Sequence, residues 1–219
     1  MPEKATLILT ESEEWAAKEV VTPVKIGASR NLPGYVRSLL KSMNFATLVN
    51  QIRAERNLTS RVPGFDPKNG NERAKYLFLL EAPGPKAVET GQISFDNPDP
   101  SAKNFRKQLA AAGINREEIA VWNVVPWYIG NEGGTSIRAA TVQDIRAGIE
   151  YLARVVSAMP NLCCIVLVGG AARRAHMFLS RVTKARIVSC HHTSARVLNH
   201  NPAAANENIE IFRFVKETT

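Results

Sequence analysis

Between residues 76 and 190 the chain alternates short apolar runs with segments of helical spacing. YLFLLEA (76–82) is bounded by turn residues and too short for a helix, so it reads as a buried strand. IAVWNVVPW (119–127), CCIVLVGG (163–170) and ARIVSC (185–190) repeat the pattern. In the intervals, Ser101 is placed to cap a helix running through about Ala112 and ending at Gly113. Thr141 with Asp144 starts a second helix, VQDIRAGIEYLARVVSAM, which stops at Pro160, and AARRAHMFLSR (171–181) suggests a third. Upstream, apolar residues at Val36, Leu39, Leu40, Met43, Leu48, Val49 and Ile52 predict one or two amphipathic helices within residues 35–56. RVPGFDPKNGNE (61–72) then supplies turn chemistry. The tail NENIEIFRFVKE (206–217) suits helix or strand, and a helix capped by Asn206 is favoured. Residues 1–34, with prolines at 2, 23 and 33 and glycines at 27 and 34, read as an arm over the core.

Strands alternating with helices imply right-handed crossovers. The expected fold is α/β, a three-layer α/β/α sandwich around a central, mostly parallel four-stranded sheet. Its 219 residues suit one domain, with an N-terminal arm and helices over 1–70 and a core over 71–219. In such sheets functional groups gather beyond the carboxyl ends of the strands. Glu81, Asn123, Gly169 and the pair His191/His192 each follow an apolar run, so they are expected to converge on one edge.

Composition and charge change this picture at a few points. A net charge of +8 favours an anionic partner without requiring one. The charge is also uneven: between Cys163 and Asn206 lie six Lys or Arg residues, all four histidines and no acid. Three cysteines, two of them adjacent, offer neither a disulfide framework nor a CxxC pair, which fits a reducing compartment. No apolar run reaches membrane-span length and the first ten residues lack signal-peptide character, so a cytoplasmic protein is expected, or a nuclear one if its source has a nucleus.

Three stretches carry candidate chemistry. In EAPGP (81–85) a rigid turn sets a carboxylate beside backbone amides, where a partly desolvated acid would be useful; a solvated acid beside a tight turn is the plainer reading. In VWNVVPWY, Asn123 interrupts an apolar run; a buried amide requires partners, supplied either by the protein or by a planar heterocycle with adjacent N–H and C=O groups. In SCHHTSARVLNH, zinc ligation by Cys190, His191, His192 and His200 is conceivable but disfavoured by the adjacent ligands and the lack of an established spacing. GGAARRA lacks the GxGxxG pattern, and neither a GxxxxGK[ST] loop nor a GxSxG elbow occurs, which argues against nucleotide enzymes and α/β-hydrolases.

Together these three stretches resemble the uracil-DNA glycosylase superfamily. EAPG looks like the first motif of its iron–sulfur bacterial branch, and PGPKAVETGQISF is similar to its single-strand-selective monofunctional branch. Asn123 matches the uracil-binding asparagine, and HTSARVLN (192–199) resembles the His-Pro-Ser motif with the DNA-penetrating loop after it. The resemblance implies base flipping and hydrolysis of the N-glycosidic bond to leave an abasic site. On it, Glu81 and His192 would be catalytic, the first positioning water and the second donating to uracil O2. Ala82, Gly84, Phe95 and Asn123 would bind the base. Ser194, Arg196, Val197, Leu198, Arg173 and Arg174 would meet DNA.

This chain departs from the family at Ala82, where many branches carry Asp or Asn, and at Thr193, where they carry proline. With three cysteines it cannot hold the four-cysteine cluster, so no cofactor and no metal are expected. The expected partner is uracil-containing DNA, bound by a monomer, with no membrane. The alternative within the same superfamily is a member that binds uracil or abasic DNA but turns over weakly or traps it covalently.

Overall fold

Residues 44–218 are described by a computed structural model. The arm expected over 1–34 and the apolar positions Val36 to Met43 lie outside these residues. Helix α1 (Phe45–Arg56) begins where the Asn44 side chain accepts the Thr47 N–H at 2.8 Å and ends at Asn57 in the left-handed region. The parallel strands are β2 (Tyr76–Leu80), β4 (Ile119–Asn123), β5 (Cys164–Val168) and β6 (Arg186–Cys190), in the spatial order β4-β2-β5-β6. This is the expected α/β sandwich. A separate two-stranded parallel pair, β1 (Gly64–Phe65) with β3 (Gln92–Ile93), was not expected.

The helices are α2 (Pro85–Thr90), α3 (Pro100–Ala111), α4 (Val142–Ser157), α5 (Gly170–Arg173), α6 (His176–Val182), α7 (Ala195–His200) and α8 (Ala204–Glu217). Successive strand residues face opposite sides of the sheet. On one side Phe78 meets Phe105 of α3 and Phe212 of α8 edge-on, at 5.1 and 5.2 Å between ring centroids. On the other, Trp122 stacks on Phe65 at 4.0 Å and Phe65 on Phe45 of α1 at 3.8 Å. Fully burying each such ring contributes about 1.5–3 kcal/mol. β2 and β5 are thus covered on both faces, and their apolar runs are continuous rather than alternating.

Several local expectations are corrected. α3 is capped by Asp99, whose Oδ1 accepts the Ala102 N–H at 2.9 Å, and not by Ser101. Pro100 fills the first helical position, where its missing N–H costs nothing. The α8 helix starts at Ala204 rather than after Asn206; Asn201 organises the turn before it, accepting the Ala203 N–H through its side chain. The single helix expected over 171–181 is two, because the Arg174 and Ala175 amides bond three residues back, to Ala171 and Ala172, and tighten the chain. The Pro-Gly-Pro turn leads directly into a helix, with Gly84 as its cap and Pro85 first in α2. The segment after His192 also forms a helix, α7, where the resemblance implies a loop. The Thr141–Asp144 capping box at the start of α4 is present. Among the described residues no helix is long and apolar enough to cross a membrane.

Candidate active site

Strand register brings the first two candidates together. Leu80 pairs with Asn123, so Glu81 follows one position beyond the partner of Asn123 at the carboxyl edge of the sheet. The ladder continues past the strand ends, the Val124 and Val125 amides donating to the Leu80 and Glu81 carbonyls at 2.9 Å each. The Glu81 carboxylate is fixed in turn: its Oε1 accepts the Ala140 N–H at 2.6 Å, just before α4 begins. Sequence reading missed Ala140, because a backbone donor leaves no mark in residue type.

Asn123 is 2% exposed, and its Nδ2 is buried with no hydrogen-bond partner. An unpaired buried donor of this kind costs about 1–3 kcal/mol. Phe95 stands on the segment after β3, 8% exposed and edge-on to Phe105 at 6.2 Å. The Arg116 guanidinium lies over its ring, 4.3 Å from the centroid. Arg116 is itself held by two carboxylates, the buried Asp66 and, at 2.8 Å, Asp96. The Ser94 hydroxyl donates to Asp66, and Arg116 holds the Asp96 carboxyl below its usual range.

The other half of the edge comes from β5 and β6, where Val168 pairs with Cys190. His191 and His192 leave β6 in different environments. His191 Nε2 bonds Glu207 at 2.6 Å on an exposed side. His192 is half-buried beside Gly169, and desolvation lowers its pKa below the ordinary value while the negative charges of Glu81 and Asp99 pull the other way. Its Nδ1 accepts the Ser194 N–H at 3.1 Å. A neutral ring that accepts at Nδ1 carries its proton on Nε2, so His192 presents a fixed N–H donor. The Asp99 carboxylate was not anticipated in the site, although the Asp-Pro pair was a readable helix start.

Gly169 permits this placement. Its φ of 87° with ψ of 172° is a region essentially reserved for glycine, and an added Cβ would sit 3.0 Å from the His192 Cβ. Gly169→Ala is therefore expected to lower the urea unfolding free energy by about 1–3 kcal/mol, the usual cost of such strain.

The remaining predicted residues lie around this centre. Ala82 is half-buried against the core, and Gly84 has open space where a side chain would project. Ser194 caps α7, its Oγ accepting the Val197 N–H at 3.4 Å. On α7 Arg196 is exposed while Val197 and Leu198 are half-buried, and Leu198 lines a groove shared with Asn104 and Lys107 of α3. Arg173 and Arg174 are exposed just after Gly169, and Arg173 donates to the Cys190 carbonyl at 3.3 Å. Thr193 is buried with its hydroxyl unpaired. Among the described residues no three His, Cys, Asp or Glu side chains are grouped to hold a metal, and burial pushes the Cys190 thiol up to about 12, far from a thiolate ligand.

The edge therefore combines a pinned carboxylate, an unsatisfied buried amide, a nearby aromatic ring and a neutral imidazole donor. Such a set can bind a flat polar ring and stabilise negative charge developing on it. Among solved structures the chain is similar to the solution NMR structure of a candidate uracil DNA glycosylase from Methanosarcina acetivorans, at 16% identity and a TM-score of 0.48, over 70% of this chain and 98% of that one. No curated protein matches it in sequence. The model of the uracil DNA glycosylase superfamily matches residues 67–215. The chain belongs to the uracil DNA glycosylase superfamily.

Proposed function

We propose that this protein is a monofunctional uracil-DNA glycosylase, a single-domain, cofactor-free enzyme that flips uracil out of DNA and hydrolyses its bond to the sugar. The observation that carries the reading is the buried, unpaired Nδ2 of Asn123. Nothing in the protein satisfies it, and uracil does: Nδ2 donates to O4 while Oδ1 accepts the N3–H. Cytosine offers the reverse pattern at both positions and is refused. Phe95 stacks on the flipped base, and Arg116 lies over the Phe95 ring.

As the C1′–N1 bond lengthens, negative charge spreads onto uracil O2, and the His192 Nε2–H donates to it. Glu81, held by the Ala140 amide, orients the water that adds to C1′. The hydroxyl stays on the sugar, and the water's other proton ends on the departing base. None of the three motifs places a lysine as an amine nucleophile, so the strand is left uncut. Arg173, Arg174 and Arg196 are exposed and would meet phosphates, which makes binding strongly salt-dependent.

The test is incubation with oligonucleotides carrying one uracil, as single strand, U:A and U:G, followed by alkali and a denaturing gel. Alkali-dependent cleavage at the uracil is expected. Glu81→Gln keeps the acceptor for Ala140, so it should fold and bind DNA as before while the single-turnover rate falls by about 10²-fold. Retained binding without cleavage by the unaltered protein would replace the hydrolase with a binding member of the superfamily. A band that survives denaturation would instead indicate covalent capture.

A further inference from the structure

Three amide side chains that no motif contains form the hydrogen bonds flanking His192. Asn208 of α8 is fully buried and bonds both backbone groups of His191: its Oδ1 accepts the N–H at 2.8 Å and its Nδ2 donates to the carbonyl at 3.1 Å. The same Nδ2 donates to Gln108 Oε1 of α3 at 3.0 Å, and Gln108 is 3% exposed. One turn earlier on that helix, Asn104 Nδ2 donates to the Thr193 carbonyl at 3.0 Å. The residues immediately before and after His192 are thus clamped from two helices. Its ring is confined separately by the Ser194 N–H and by Gly169.

Buried amides are retained when their bonds are worth more than an apolar replacement. These three do not join the sheet to its covering helices in general. Two act directly on backbone at residues 191 and 193, and Gln108 orients one of those two. We propose that Asn104, Gln108 and Asn208 are positioning residues for His192, setting both the rate of base release and its pH dependence. The proposal rests on the glycosylase reading for the rate, but not for the state of the imidazole.

Asn104 is the variant to make first, because it is half-buried and its loss removes one bond without emptying the core. In Asn104→Ala the loop after β6 is free to shift, and His192 gains water. Its charged form is then less penalised, so its titration midpoint moves up toward the ordinary histidine value. The charges facing it, Glu81 across the sheet edge and Asp99 at the start of α3, remain and pull in the same direction. Expected results are a kcat lower by about tenfold with KM within twofold, for a geometric fault confined to the reacting groups. The His192 ring resonances, identified by their absence in His192→Gln, should titrate at higher pH. Asn104→Gln restores an amide donor and should recover part of both changes.

An Asn104→Ala protein that loses only melting temperature, with kcat and the His192 titration unmoved, overturns the proposal. If the unaltered protein releases no uracil, the titration arm still decides: a moved midpoint supports the clamp and only the substrate reading falls.

Discussion

His192→Ala is expected to slow uracil release by about 10²–10³-fold, the cost found when one donor to a developing oxyanion is removed. The imidazole presents Nε2 because Nδ1 is occupied by the Ser194 amide, and partial desolvation favours the uncharged ring. Alanine removes the donor without touching Asn123 or Phe95, so DNA affinity should change little and the loss should appear in the single-turnover rate. His191→Ala is the matched control: that ring is tied to Glu207 at 2.6 Å, and its removal should leave the rate within about twofold.

The same geometry fixes a pH dependence. Protonation at Nδ1 would break the bond from Ser194 and turn the ring. Because the folded pKa lies below the ordinary value, activity should persist below pH 6.5 and fall only as the pH drops through the depressed value. The stability linkage has the same sign: the unfolded chain binds this proton first, so the contribution is complete above about pH 6.5 and is lost as the pH falls through the folded pKa. Single-turnover rates and urea midpoints measured from pH 5 to 8 read both effects. An acid limb above pH 6.5 would contradict a neutral, half-buried donor.

Much of the architecture was legible because burial on both faces makes β2 and β5 unbroken apolar runs, which few other arrangements produce. The Thr141–Asp144 box was readable for a similar reason, its two side chains being committed to local backbone. Asp99 went unrecognised in favour of Ser101 although Asp-Pro is the stronger start, and with it went the second carboxylate near His192. The pair β1 and β3 could not be seen, since two residues carry no period.

The candidate site divides along the same line. Glu81, Asn123 and His192 stand out in sequence because each is a polar residue ending an apolar run. Their adjacency is set by the order β4-β2-β5-β6, which depends on which way each crossover turns and is not written in any one segment. The parts that hold them are further removed. The Ala140 amide is backbone, and Asn208 meets Gln108 across 100 positions of chain. At that separation a buried amide looks like any other polar residue on an amphipathic helix.

Asn123→Leu is expected to abolish uracil release, by about two to four orders of magnitude, while leaving the fold as stable or more so. The two halves of this prediction have different causes. On the proposed reading the amide would make a donor and an acceptor bond to the base from a residue only 2% exposed, and losing both would cost several times RT ln 10. In the free protein the Nδ2 has no partner, so leucine of similar volume removes a desolvated donor rather than a hydrogen bond. A residue kept for packing would show the reverse, with a lower urea midpoint and ordinary activity per folded molecule. Opposite signs for activity and stability at one position are the mark of a group whose unmet bonding is reserved for a ligand. Urea titration beside the alkali-cleavage assay measures both; a destabilised but active Asn123→Leu would move the asparagine out of the site and into the core.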